Sequence, residues 1–247
     1  MSDRLRKMKL TAYKTAVFKE KQDLPTFMKG YLPTLKEGDI VAVCSKLVCL
    51  WKGCTVKYKN RKQKEELIVK HSEAALKTKL AWLTVKAGMI MTNGGVDESN
   101  ANGKLLYFPP DMFACADELC GALKKQFHLK KLGIIITDSM ILPLRAGVIA
   151  AAVGYSGFGG VRDERGKKDI FGKPLQTTLV NVADSLATAA ALTMGERNEQ
   201  TPLCVIEKAP VRFVRKTNRA EISYPPQQDL YAPLLKAVKL TKTRRKK

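Results

Sequence analysis

The sequence predicts an α+β (mixed α/β) protein with buried sheets and flanking helices, and three stretches carry that prediction. KKLGIIITDSM (130–140) holds a five-residue apolar core, Leu132 to Ile136, which reads as a strand buried on both faces. Residues 112–127 place Met112, Cys115, Leu119, Leu123 and Phe127 near one helical face, with Asp111 available as the N-cap. AWLTVKAGMIMTN (81–93) alternates around an Ala-Gly pair and reads as a hairpin.

The other elements follow in order. GDIVAVCSKLVCL (38–50) opens with Gly-Asp and becomes a buried strand ending near Cys44-Ser45. Residues 60–79 are charged, with Leu67, Ile68, Ala75 and Leu76 apolar, and predict a surface helix of low amphipathic contrast. NGGVDESN (93–100) is a glycine turn leaving the hairpin, from which Asp97 emerges; Glu98 and Ser99 read as solvent-facing. Asp138 is expected at the carboxyl end of the 130–140 strand, the usual crevice position in α/β sheets. Residues 147–174 are glycine-rich but match neither GxGxxG nor the P-loop spacing. NVADSLATAAALTMGE (181–196) predicts a helix whose Ala183, Ala187, Ala190 and Ala191 admit a close neighbour while Leu186 and Leu192 pack. Gly195 ends it and leaves Glu196 beside partly negative carbonyls, a conflict that a nearby cation would relieve.

At 247 residues the chain can bury its own core. Its formal net charge of +21 points to nucleic acid, an acidic surface or small anionic substrates. About half of that excess lies in a basic N-terminal extension (1–9) and a basic C-terminal tail (236–247), leaving 10–235 as the body of the chain. The tails invite weak nucleic-acid contact, but RNP-type aromatic patterns and zinc-finger spacing are missing. The six cysteines lack CxxC spacing and are expected to be reduced core thiols. No apolar run is long enough to span a bilayer, and the start is too charged for a signal peptide, so the expected location is the cytoplasm, without a membrane partner.

Asp97, Asp138 and Glu196 are thus three acids at the ends of ordered elements. Hard cations such as Mg²⁺ and Mn²⁺ take such carboxylates and complete their shells with phosphate and water oxygens, so the pattern permits a metal–nucleotide site.

NGGVDESN, IITDS, GKKDIFGKPL and NVADSLATAAALTMGE followed by NEQTPL, in this order, resemble the coenzyme F-420:γ-glutamyl ligase family over about residues 38–210, especially a bacterial branch assigned to folate γ-glutamyl ligation. The resemblance implies a two-lobed γ-glutamyl ligase fold, a homodimer, two Mg²⁺ or Mn²⁺ ions, GTP or ATP as co-substrate, and transfer of L-glutamate to the γ-carboxylate of a folate-type or deazaflavin (coenzyme F-420-type) acceptor through an acyl phosphate. It also implies that Asp97 and Asp138 hold one metal and Ser139 and Glu196 the other. Ser45, Asn100 and the segment Met194, Gly195, Glu196, Arg197 to Gln200 and Thr201 match nucleotide-contacting positions. Lys19, Lys46, Arg145, Lys167 and Lys168 stand beside the motifs as candidates for holding anionic substrates, with Lys46 and Lys19 placed at the nucleotide and Arg145 and Lys168 at the reacting groups.

Two departures stand out. Where family members acting on coenzyme F-420 resemble TDTNGR, this chain continues Thr137-Asp138-Ser139 with Met140-Ile141-Leu142, which argues for a changed acceptor. A family lysine falls on Leu50, with Lys46 and Lys52 as substitutes. The alternative reading is a polyanion- or RNA-binding protein on the same scaffold without ligase chemistry, to which three gathered carboxylates would bring nothing.

Overall fold

The computed structural model describes residues 7–237 and 241–242. Most of the basic N-terminal extension and C-terminal tail therefore lies outside the described residues.

In chain order the elements are β1 (Lys9–Tyr13), α1 (Leu24–Tyr31), β2 (Asp39–Cys44), α2 (Ser45–Trp51), β3 (Thr55–Lys57), α3 (Arg61–His71), β4 (Ala74–Lys77), β5 (Trp82–Lys86), β6 (Met89–Thr92) and β7 (Lys104–Leu106). They continue with α4 (Met112–Phe127), β8 (Leu132–Ile141), β9 (Val148–Ser156), β10 (Val161–Asp163), β11 (Leu179–Asn181), α5 (Val182–Met194), β12 (Leu203–Glu207), α6 (Ala232–Ala237) and β13 (Thr241–Lys242). The class is mixed α and β, as predicted.

The central sheet runs β1-β12-β2-β8-β9, so the late strand β12 lies between the first two strands of the chain. Only the β2–β8 pair in it is parallel. Alternation sorts the side chains onto two faces. Val41, Val43, Ile134, Ile136 and Val205 face α4, where they meet Cys115, Leu119 and Leu123. Ile40, Ala42, Ile135, Cys204 and Ile206 face α5, where Ala183, Ala187 and Ala190 let the helix come close. Five of the six cysteines are buried and Cys44 is half-buried, all as free thiols.

Asp111 caps α4 by accepting from the Ala114 amide at 2.8 Å, and Asn181 caps α5 through the Asp184 amide at 3.0 Å. The hairpin β5–β6 turns on Ala87 and Gly88, with φ of 50° and 76°, the paired left-handed geometry that matches strand twist. These elements stand where the sequence puts them.

Three expectations are corrected. The helix expected over 60–79 stops at His71, because Ala74–Lys77 pairs with Trp82–Lys86 as a strand. The strand expected to end around Asp138 runs on to Ile141, since β9 offers it a partner beyond the end of β2. Leu192 does not pack; it is 86% exposed.

Residues 209–224 form a strap over the outside of β9. Its Arg219 donates to Asp111 at 2.6 Å and to Asp117 at 2.8 Å, while Glu221 accepts from the Tyr155 hydroxyl at 3.0 Å.

Two stability predictions follow from the packing. A Cβ on Gly154 would meet the Met112 carbonyl at the start of α4, the oxygen at 2.5 Å and the carbon at 2.7 Å. Gly154→Ala should therefore cost about 3 kcal/mol by urea unfolding, at the upper end for overpacked sites. His71 lies against Tyr107, ring centroids 4.5 Å apart; burial first, then Lys86 and Lys70, lower its imidazole to about 4. The unfolded chain then binds more protons than the fold below an ordinary histidine pKa of about 6.5. The His71 contribution to stability is thus complete above about pH 6.5 and lost as pH falls toward 4, so the pH dependence of the urea midpoint should be shallower in His71→Asn across that window.

Candidate functional site

At the edge where the β2–β8 pairing ends, a cleft of about 690 Å³ opens. The last parallel pair is Cys44 with Thr137. Beyond it the chain of β2 turns into α2, and Ser45, buried at that turn, donates its hydroxyl to Asp138 Oδ1 at 2.6 Å. Asp138 therefore reaches the crevice from within a long strand, one position past its parallel partner's end, and not from beyond a strand terminus. Withdrawal of its carboxyl from water pushes it up to about 6; Ser45 works against this, while Asp97 and Glu196 add repulsion.

Asp97 arrives from the opposite wall. The glycine turn Asn93–Gly95 forms one turn of 3₁₀ helix, and the backbone of Asp97 bridges to Leu106. Asn93, Gly94 and Gly95 all have positive φ, and Gly94 lies so close to Ser72 that a Cβ would collide with its hydroxyl. Lys46 of α2 meets Asp97 at 2.8 Å. Burial tends to raise Asp97, but Lys46 and Ser99 hold it below the usual carboxylate range. Burial likewise tends to lower the Lys46 ammonium, and Asp97 more than reverses it.

Glu196 follows the helix end at Gly195, where φ is 83° and a side chain would run into Glu199. It accepts from the Ser139 hydroxyl at 2.8 Å. The loop it belongs to is tied back on itself by a hydrogen bond from the Thr201 hydroxyl to the Met194 carbonyl. The Asn100 amide, from the glycine turn, donates to the Arg197 carbonyl at 3.1 Å and joins the two rims.

Of the residues singled out from the sequence, Lys46, Asp97, Asn100, Asp138, Ser139, Met194, Gly195, Glu196, Arg197, Gln200 and Thr201 line this one cleft, with Ser45 directly behind Asp138. Lys19, Arg145, Lys167 and Lys168 do not line it and are solvent-exposed. From the N-terminal part of the chain the lining is Thr15 to Phe18 instead of Lys19. Leu50 lines the cleft, whereas Lys52 turns away to Glu118 at 2.6 Å and stands over the Trp51 ring; of the two substitute lysines only Lys46 faces the cavity.

Glu98 and Ser99 are not merely solvent-facing. Glu98 accepts from the Tyr58 hydroxyl at 2.6 Å and meets Lys64 at 2.9 Å. Ser99 bonds Asp97 through both its amide and its hydroxyl. The Asp-x-Ser spacing, a side chain returning to the backbone two residues on, is the signal that could have assigned Ser99.

The lining carries four carboxylates, Asp97, Asp138, Glu196 and Glu199, against two cations, Lys46 and Arg197. Hard divalent cations fit such a donor set of carboxylate and hydroxyl oxygens. Among the described residues no three Asp, Glu, His or Cys side chains close on one point as a ready metal cage, so a cation here would need further oxygens from substrate or water. No described helix is long and apolar enough to cross a membrane.

The family model described as F420-0:Gamma-glutamyl ligase matches residues 13–208. Similar proteins include the coenzyme F420:L-glutamate ligase of Methanococcus maripaludis strain S2, 40% identical over 146 residues, 59% of this chain and 58% of the relative. The protein of that name from Methanopyrus kandleri is 31% identical over 219 residues, 80% of this chain and 86% of the relative. In the first match the chain thus spans little more than half of its relative's length, and both organisms are archaeal whereas the sequence motifs suggested a bacterial branch. The match over residues 13–208 contains the whole cleft, from Thr15 to Pro202, and the chain belongs to the F420-0:γ-glutamyl ligase family.

Proposed function

We propose that the chain is a nucleotide- and metal-dependent amide ligase that joins L-glutamate to the γ-carboxylate of a coenzyme F420-type or folate-type acceptor. The observation that carries this reading is an acidic cleft in a chain of net charge +21, built where NGGVDESN, IITDS and the segment ending in MGE and NEQTPL converge, while GKKDIFGKPL lies outside it. Its relatives are named for ligating L-glutamate to coenzyme F420, which supports the amino acid and the F420-type acceptor. Met140, Ile141 and Leu142, apolar and just past Ser139, favour the folate-type alternative.

Asp97 with Asp138, and Ser139 with Glu196, would hold Mg²⁺ or Mn²⁺, which supplies charge neutralisation for the oxygens of a bound triphosphate. An acceptor carboxylate oxygen attacks the γ-phosphorus of GTP or ATP, the bond to the bridging oxygen breaks, and nucleoside diphosphate departs. The glutamate amine then adds to the acyl carbon, loses a proton, and phosphate leaves with the electrons of the C–O bond. Lys46 brings positive charge to the phosphates, and Ser45 orients the Asp138 carboxylate. Asn100 and the loop from Met194 to Thr201 close the nucleotide's surroundings and keep water from the acyl phosphate. Arg145 and Lys168 are assigned at most the capture of a polyanionic acceptor outside the cleft.

The reading includes a homodimer. The free ends of β8 and β9 form an arm carrying Ile141, Leu142 and Val148, 57%, 41% and 49% exposed, with Leu144 fully in solvent at its turn. A second copy would cover that apolar surface.

The purified chain, given GTP or ATP, Mn²⁺ or Mg²⁺, L-glutamate and either acceptor, should yield product one glutamyl unit heavier by mass spectrometry. Absence of phosphate release with every acceptor would sink the proposal. Asp138→Asn should lower turnover on the order of 100-fold or more while the melting temperature stays near the parent's. In sedimentation velocity the parent should run as two chains and Ile141→Asp/Leu144→Asp as one; a monomeric parent overturns the dimer.

A further inference from the structure

Ser99 does not itself line the cleft, yet it bonds two residues that do, Lys46 and Asp97, and it makes more bonds to the Asp97 carboxylate than Lys46 does. Its amide donates to Asp97 Oδ1 at 2.8 Å and its hydroxyl to Asp97 Oδ2 at 2.8 Å. Lys46 Nζ donates to the same hydroxyl oxygen and also stands 2.8 Å from Asp97 Oδ2. A serine hydroxyl has one proton to give, and an ammonium can only donate. The direction is therefore fixed: Lys46 gives to Ser99, and Ser99 gives to Asp97.

We infer that Ser99 is a positioning residue, whose amide and hydroxyl, together with Lys46, hold the Asp97 carboxylate in the orientation that receives a divalent cation. This rests on the ligase reading above and adds to it the device that keeps one wall of the site in register.

The geometry around Ser99 supports that role. The residue before it is anchored by Tyr58 and Lys64 through Glu98, and the residue after it by the Arg197 carbonyl through Asn100. With both neighbours held, the Ser99 backbone cannot follow Asp97 if the carboxylate swings; the carboxylate must conform to Ser99. Each Asp97 oxygen accepts one bond from Ser99, and a carboxylate has about four acceptor directions, so capacity remains for a cation. Remove the hydroxyl and the ammonium loses one of its two acceptors here. The Asp97 carboxylate then keeps only the amide bond from Ser99 and its ion pair to Lys46, and it can turn out of the orientation a cation needs. Supporting hydrogen bonds of this kind typically change metal affinity by about 10- to 100-fold.

The experiment uses the full chain and three proteins: parent, Ser99→Ala and Ser99→Thr. Mn²⁺ binding without nucleotide is read by electron paramagnetic resonance. Ser99→Ala should weaken it about tenfold, and Ser99→Thr, which keeps the hydroxyl, should restore it to within about threefold of the parent. In turnover, Ser99→Ala should raise KM for Mn²⁺ about tenfold while kcat at saturating Mn²⁺ stays within about threefold, a split that general destabilisation would not produce. In metal-free protein, hydrogen exchange of the amides in 96–100 should be faster in Ser99→Ala than in the parent. Parent-like Mn²⁺ affinity in Ser99→Ala, or parent-like exchange across the turn, overturns the positioning role and leaves the ligase reading intact. A parent that binds no Mn²⁺ overturns the metal assignment itself.

Discussion

Two parallel strands that part company at the same level create the conditions for everything else in this protein. β2 and β8 are buried on both faces by α4 and α5, so between Asp39, which opens β2, and the end of the pairing at Cys44 and Thr137 their residues are apolar. The next residue of each chain, Ser45 and Asp138, is polar, and the two satisfy one another. One strand then becomes a helix that supplies Lys46, while the other continues as an arm that supplies Ser139. A single packing rule thereby sets four side chains along one edge.

The second wall is held differently. The backbone of Asp97 is held by buried Val96 and by its pairing with Leu106, while its carboxylate is aimed by polar ties to Lys46 and Ser99 and, through its neighbours, to Tyr58, Lys64 and Arg197. An edge fixed by core packing thus faces a turn whose carboxylate is aimed by hydrogen bonds, and between them lies a region of negative charge that the rest of a basic chain does not share. Such local conflict with overall composition is common where function has been preferred over stability.

Much of this was legible in the sequence wherever the cause is local. The Ala87-Gly88 turn, the Asp111 cap and the alanine face of α5 are all decided within a few residues, and they stand as read. What the sequence did not disclose depends on partners far along the chain. Residues 74–77 look helical until Trp82–Lys86 offers hydrogen bonds, and β8 looks finished around Asp138 until β9 returns beside it. Lys19, Arg145 and Lys168 adjoin the motifs in sequence, and the fold turns them outward. Lys46 and Lys52 looked equivalent; six residues of helix and the carboxylate of Glu118 separate them.

The placement of β12 also governs how this molecule can be made. It is the last strand of the central sheet to leave the ribosome, yet it must enter between β1 and β2, which leave it first. Until residue 207 has emerged, Leu10 and Ala12 have no neighbouring strand and Ile40, Val41 and Ala42 have an open edge, so the nascent sheet waits with its earliest strands unpaired. Contacts of such wide sequence separation slow folding and prolong exposure of apolar edges. A stalled or truncated chain ending before Leu203 would present that open slot to any strand nearby, which ties completion of the chain to its escape from aggregation.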